Sequence, residues 1–248
     1  MKILMFDLEN GSKTLGSHES IEKMFGYPVL SPSSFDQFKS IVSQLYTTNK
    51  ETVSRKIGNI DIEEEQSSIV PKNNTEIDVV IIDTFSELSK KYQRSLVNKE
   101  GKMMMAQWGK LKNTLDMLLE FITQIPGILI CNCHGKVQTM EDGTTKVLPY
   151  IDGSTKEDIS KWFDFVIYTK TASKSKDEVE YQWHTGHSSM YDHAKDRTQL
   201  LDASIPQDYQ LIINAAKKKG FEGAKILVIG SPGTGKTLSL RTLKDGGK

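Results

Sequence analysis

The chain has 248 residues, enough for one large domain or two small ones with a core that needs no staples. Its 32 lysines and arginines balance 32 aspartates and glutamates, so no global field draws it to nucleic acid or membrane, and any such contact needs a local patch. Two cysteines are too few for a disulfide framework, no apolar run approaches the roughly 18–20 residues of a membrane span, and the opening MKILMFDLENG lacks a signal-peptide cleavage pattern, which together predict a soluble cytoplasmic protein.

In chain order, KILMFDL (2–8) is a short apolar run ending in acids and predicts a buried strand. In SSFDQFKSIVSQLY, the residues Phe35, Phe38, Ile41, Val42 and Leu45 recur at helical spacing after a serine cap. Residues 47–76 are polar and irregular and predict an exposed loop. IDVVIID (77–83) predicts a second buried strand. AQWGKLKNTLDMLLEFITQI (106–125) predicts an amphipathic helix stopped by Pro126 and Gly127. GILICNC and DFVIYTK predict further buried strands, EVEYQWHT a strand with one solvated face, and KILVIG (225–230) a last buried strand. Strands alternating with helices predict an α/β fold with a mainly parallel central sheet flanked by helices.

The last strand runs straight into Gly230, Ser231, Pro232, Gly233, Thr234, Gly235, Lys236 and Thr237, which fit G-x-x-x-x-G-K-[ST] in full. Glycines there let successive N–H groups curl inward around phosphates; Lys236 can reach the β- and γ-phosphate oxygens and the Thr237 hydroxyl can ligate Mg²⁺. TLSLRTLK, opening on Thr237 and Leu238, predicts a helix whose positive end faces the phosphates. The expected cofactors are therefore ATP and Mg²⁺. A second metal-side group is expected beside the Thr237 hydroxyl, and Asp83, at the end of IDVVIID, stands where an aspartate would hold Mg²⁺ through water.

Hydrolysis also needs a group to activate water. Asp7 and Glu9 follow the first strand, and Glu9 is the candidate for facing the γ-phosphate. His134 follows ILICNC, at a strand end where a polar side chain can sense that phosphate. A rival reading is a zinc site from Cys131, Cys133 and His134 with His184, His187 and His193; buried cysteine as a small hydrophobe is the simpler account.

KILVIGSPGTGKT, ILMFDLENGSKTL, IDVVIIDTFSEL, AQWGKLKN, ILICNCHGK and AKDR together resemble the phage-encoded RecA-like ATPases of the Sak group. The resemblance implies a RecA-like fold and a role in single-strand annealing or recombination, and it covers most of the chain. In that family the phosphate-loop segment comes first; here it comes last. Joining Lys248 to Met1 restores a family-like stretch, so the expectation is one circularly permuted domain (1–248), in which 1–210 form the core and 211–248 are the relocated segment; exchange of that segment with a neighbouring molecule is an alternative.

The resemblance further implies that Glu9 is the water-activating glutamate and His134 the strand-end sensor. It implies that Lys195 and Arg197 of AKDR act in trans on a neighbour's nucleotide, which makes self-association an expectation. Single-stranded DNA is the expected partner, through the loop 134–158 with Tyr150 and through Lys170, Lys174 and Lys176. Two other classes are compatible with the phosphate loop: a nucleotide-dependent binding module with little hydrolysis, and a small-molecule kinase. For a phage-encoded chain the expected location is the host cytoplasm.

Overall fold

The computed structural model describes residues 1–173 and 179–245. Strand β1 (Ile3–Asp7) leads through a single 3₁₀ turn (Gly11–Thr14) to α1 (His18–Phe25), which Ser17 caps by accepting from the Ser20 amide. Helix α2 (Phe35–Leu45) begins at Ser34, whose hydroxyl accepts from the Gln37 amide. Then come β2 (Tyr46–Ile57), β3 (Ile60–Pro71), β4 (Val79–Asp83), α3 (Phe85–Leu96) and α4 (Met105–Thr123). They are followed by β5 (Ile128–Thr139), β6 (Thr145–Pro149), α5 (Thr155–Asp158), β7 (Phe165–Ser173), β8 (Val179–His184) and β9 (Lys195–Asp196). The chain closes with β10 (Ser204–Pro206), α6 (Tyr209–Lys218), β11 (Ala224–Gly230) and α7 (Thr242–Asp245).

The central sheet runs β1-β4-β5-β11-β7-β8-β10. Its first five strands are mutually parallel; β8 and β10 add antiparallel pairs at one side, β6 pairs with the extension of β5, and β9 with the start of β7. Both faces are covered, which is why the parallel strands are continuous apolar runs. Side chains alternate between two cores by the period of two along a strand. Leu4, Phe6, Val80, Ile82 and Leu129 meet α2, α3 and α4 on one face, where Leu111, Leu115, Leu119 and Ile122 recur at helical spacing. Ile3, Met5, Val79, Ile81 and Val228 meet Ile21, Phe25, Tyr209 and Ile212 of α1 and α6, with Leu240 and Leu243 from the tail, on the other.

The register matters most for function. Asp7 pairs with Asp83 and Asp83 with Asn132, and His134 pairs with Gly230 two residues further on, so polar side chains gather where the parallel pairing of these strands ends. In open α/β sheets ligands bind outside the carboxyl ends of the strands.

Three local expectations are corrected. Residues 47–76 are not a loop: β2 and β3 form a long two-stranded hairpin, separate from the main sheet and largely exposed. Exposure on both faces removes the apolar alternation that marks a strand, although Gly58-Asn59 between Ile57 and Ile60 is a two-residue hairpin signature. Residues 134–158 are not an open loop either, because β5 continues to Thr139 and turns back into β6. After the phosphate loop the chain forms a 3₁₀ turn (Leu238–Arg241) and the one-turn α7, rather than one regular helix over the predicted stretch.

Candidate nucleotide site

At the carboxyl edge of the sheet lies a cavity of about 330 Å³. The head of the chain supplies Glu9, Gly11 and Thr14, the middle Asp83, Thr84 and His134, and the tail Pro232, Gly233, Gly235, Lys236, Thr237 and Leu238, with Tyr181 closing one side.

The glycine loop gets its shape from φ angles that side chains resist, +78° at Gly233 and +88° at Gly235. At Gly235 space is limiting as well: a Cβ there would lie 2.5 Å from Gln207 Oε1 and 2.9 Å from Tyr181 Cδ1. Two clamps hold the loop from outside. Thr169 on β7 meets the Thr234 hydroxyl, and Gln207 Nε2 donates to the Thr234 carbonyl at 2.9 Å. Lys236 is 6% exposed and folds back under the loop, donating to the carbonyls of Gly230 at 2.8 Å and Ser231 at 2.9 Å. Burial pulls its ammonium below the usual lysine range, against the opposing effect of Asp83, Cys133 and Glu9.

Thr237 Oγ1 donates to Asp83 Oδ2 at 2.7 Å, joining residues 154 positions apart. Asn132 Nδ2 donates to the other oxygen, Oδ1, at 3.1 Å. Asp83 is 3% exposed. Burial pushes its carboxyl up, with Asp7 adding to the rise and the bonds from Thr237 and Asn132 opposing it. The Asp83–Thr84 peptide bond is cis. A hydroxyl and a buried carboxylate whose hydrogen-bond partners here are neutral form a donor set that suits a hard divalent cation.

Glu9 is positioned by its own turn. The carboxylate of Asp7 accepts from the amides of Glu9 at 3.2 Å, Gly11 at 3.0 Å and Ser12 at 2.9 Å, fixing the chain as it leaves β1. That turn brings Gly11 beside the Thr237–Asp83 pair, where a Cβ would stand in ordinary contact, 3.5 Å from Thr237 Oγ1 and 3.6 Å from Asp83 Oδ2. Thr84 Oγ1 donates to Glu9 Oε1 at 2.7 Å, and His134 Nε2 lies 2.8 Å from both Glu9 oxygens. Burial alone raises the Glu9 carboxyl, but the bonds from His134 and Thr84, with the positive charge of Lys236 nearby, bring it below its ordinary value. The Ser86 hydroxyl accepts from the His134 amide at 3.0 Å.

Most predicted residues therefore converge. Glu9, Asp83, His134, Pro232, Gly233, Gly235, Lys236, Thr237 and Leu238 line the cavity. Gly230, Ser231 and Thr234 shape the loop from beneath, through the Lys236, Thr169 and Gln207 contacts. Lys195 and Arg197 do not line the cavity of their own chain. Lys195 Nζ donates to the Ser160 carbonyl at 2.9 Å, and Arg197 Nη1 pairs with Asp164 Oδ1 at 3.0 Å, beside the start of β7. The Tyr150 ring carries Lys90 Nζ at 4.1 Å and Lys136 Nζ at 5.4 Å. Lys170 sits on β7, while Lys174 and Lys176 lie outside the described residues.

Cys131 and Cys133 are buried in the core facing α2 to α4, where burial pushes the Cys133 thiol up to about 12 and the Cys131 thiol well above its ordinary value. Among the described residues no group of three or more His, Cys, Asp or Glu side chains is placed to hold a metal ion. Nor is any helix among them long and apolar enough to cross a membrane.

Sequence reasoning missed Asn132, Thr169, Tyr181 and Gln207. Asn132 carried a signal, a lone amide inside the apolar run ILICNC. Thr169 and Tyr181 act across strand pairings, and Gln207 from just beyond β10, by contacts that no local pattern reports.

With this geometry in place, residues 1–198 match a family model described as AAA domain. The chain belongs to the AAA domain family. This is a family of P-loop ATPase type, to which nucleotide hydrolase activity belongs in general, with ATP and Mg²⁺ as the usual cofactors. The matched span of this AAA domain holds Glu9, Asp83, His134, Lys195 and Arg197 and ends before Gly230–Thr237. Comparison with curated proteins and with solved structures returns no match.

Proposed function

We propose that this AAA domain protein binds ATP with Mg²⁺ and hydrolyses it as a RecA-like ATPase of the Sak type, acting on single-stranded DNA in recombination or annealing. The observation that carries the reading is the 2.7 Å bond between Thr237 of the tail and Asp83 of the middle, beside Glu9 of the head. In this reading the loop amides and Lys236 bind the phosphates, and Thr237 and Asp83 are the oxygen donors for Mg²⁺, which when bound neutralises phosphate charge. Glu9 takes a proton from water or orients it, and Thr84 and His134 hold its carboxylate in place.

A circular permutation fits the topology. Counted with β11 first, the five parallel strands lie in the order 2-3-4-1-5, so the phosphate-loop strand is central although it is last in sequence. Lys195 and Arg197, engaged away from their own cavity, are the groups proposed to serve a neighbouring copy. Tyr150 with its flanking lysines, and Lys170, are the proposed contacts to DNA bases and phosphates.

The test is nucleotide binding and steady-state phosphate release, each with and without single-stranded oligonucleotide. Wild type should bind and turn over ATP, faster with DNA; Lys236→Ala should lose binding. Tight binding with no release under any condition would favour the nucleotide-dependent binding module instead.

A further inference from the structure

The β2–β3 hairpin lines no part of the nucleotide cavity, and its tip carries apolar side chains in the open. Tyr46 and Ile69 anchor its base in the core facing α2 to α4. Beyond that base no residue from 47 to 68 is buried. The register sets Ile57 opposite Ile60, Arg55 opposite Ile62 and Val53 opposite Glu64. Alternation along each strand therefore gathers Val53, Ile57, Ile60 and Ile62 on one face of the ribbon, while Lys50, Lys56, Asp61, Glu63 and Glu65 take the other. Ile57 and Ile60 are 65% and 67% exposed. Apolar side chains clustered on an exposed ribbon mark a contact surface. The hairpin holds Glu51, Asp61, Glu63, Glu64 and Glu65 against Lys50, Arg55 and Lys56, a balance that disfavours a phosphate backbone and suits a protein partner.

A groove of about 340 Å³ runs between α2 and α4. Phe35, Val42 and Leu118 form its floor, and Phe121 with Met117, which is 70% exposed, its lip. The Phe35 ring stacks on Tyr92 with centroids 4.3 Å apart, which braces the floor. Lysines surround this apolar space. Lys39 lines it, beside its ion-pair partner Asp36. Lys110 precedes Thr114 by one turn on the same face of α4, and Lys72 Nζ donates to the Ser43 carbonyl at the end of α2.

We infer that the apolar hairpin tip of one molecule seats in the α2–α4 groove of a second copy, with Asp61 and Glu63 meeting the lysines around that groove. Apolar tip matches apolar groove, and acidic flank matches basic rim. The tip does not reach the groove of its own chain. The hairpin leaves the end of α2, and at the ordinary rise of a strand Ile57 lies about 35 Å from Tyr46. Pairing along all 12 residues of each strand keeps the ribbon from folding back. Tip and groove are different patches, so the contact is head-to-tail: every joined molecule still offers one of each, and assembly continues copy by copy.

The experiment is sedimentation velocity over a concentration series, without nucleotide. The samples are wild type, the double variant Ile57→Asp/Ile60→Asp, Met117→Asp, and an equimolar mixture of the two variants. All three side chains face solvent in the single molecule, so the substitutions leave its core intact. Wild-type mass should rise with concentration past that of a dimer. Each variant alone should associate about ten-fold more weakly or less. The mixture, in which one variant keeps its groove and the other its tip, should form one-to-one dimers that grow no further. A variant that assembles as well as wild type, or a mixture that stays monomeric, would overturn the inference. A wild type that is monomeric at every concentration would also overturn it, and would leave the tip to a different protein.

Discussion

His134 Nε2 stands 2.8 Å from both carboxylate oxygens of Glu9, a contact across 125 residues of chain. To meet an ionised carboxylate this nitrogen must carry the ring proton, so His134 orients Glu9 as a donor. Thr84 supplies the second donor from the neighbouring strand end.

Glu9→Gln should keep ATP binding and lower turnover about 100-fold or more, because the amide cannot take a proton from water. The same variant should change the acid limb of stability. The Glu9 carboxyl is held below its ordinary value of 4.5, so the ionised form is favoured by folding. Its stabilising contribution is complete above that ordinary value and is lost as pH falls through the lowered folded value. Unfolding midpoints measured across the acid range should fall less steeply in Glu9→Gln than in wild type. Unchanged phosphate release in the variant would reject the role in chemistry, and parallel acid limbs would reject the stabilising contacts.

Asp83 predicts the opposite sign. Burial raises its carboxyl above the ordinary 3.8, so the folded chain holds that proton more tightly than the unfolded one. The stability it contributes is present at low pH and falls as pH rises through the folded value, above which the carboxylate is a buried charge. Asp83→Asn is nearly isosteric, and Asn132, whose Oδ1 has no hydrogen-bond partner among the described residues, can rotate its amide to accept from the new side chain. In EDTA the variant should melt above wild type, at about 2–4 °C per kcal/mol gained for a domain of this size. With MgATP the order should reverse, since ligand binding stabilises only a chain that holds it. Thermal unfolding under the two conditions checks both signs, and a variant that melts lower in EDTA would count against the buried-charge account.

Arg197 tests assembly. Its guanidinium pairs with Asp164 at the start of β7 and is absent from the cavity of its own chain. Arg197→Ala should lower turnover at least ten-fold where light scattering detects assemblies, and leave dilute monomer unaffected. Equal sensitivity in the monomer would remove the trans role and point to a structural use of the pair with Asp164.

Much was legible from the sequence alone because it is local. The buried parallel strands announce themselves as short apolar runs, since both faces of that sheet are covered and no solvated alternation interrupts them. The glycine loop is legible for the same reason: its positive φ angles and close approaches demand glycine at fixed offsets. Glu9, Asp83 and His134 could be picked out because each stands at or just beyond the end of such a run. Tertiary structure alone decided the rest. Only strand order places β11 between β5 and β7, bringing Thr237 to Asp83 and leaving the last segment of the chain at the centre of the sheet. Only the pairing of β11 with β7 brings Thr169 to the phosphate loop and only that of β7 with β8 brings Tyr181, and only two-sided exposure hides the β2–β3 hairpin behind a polar sequence. A residue type reports its own backbone and burial; its partners at long range are set by register, which no single segment encodes.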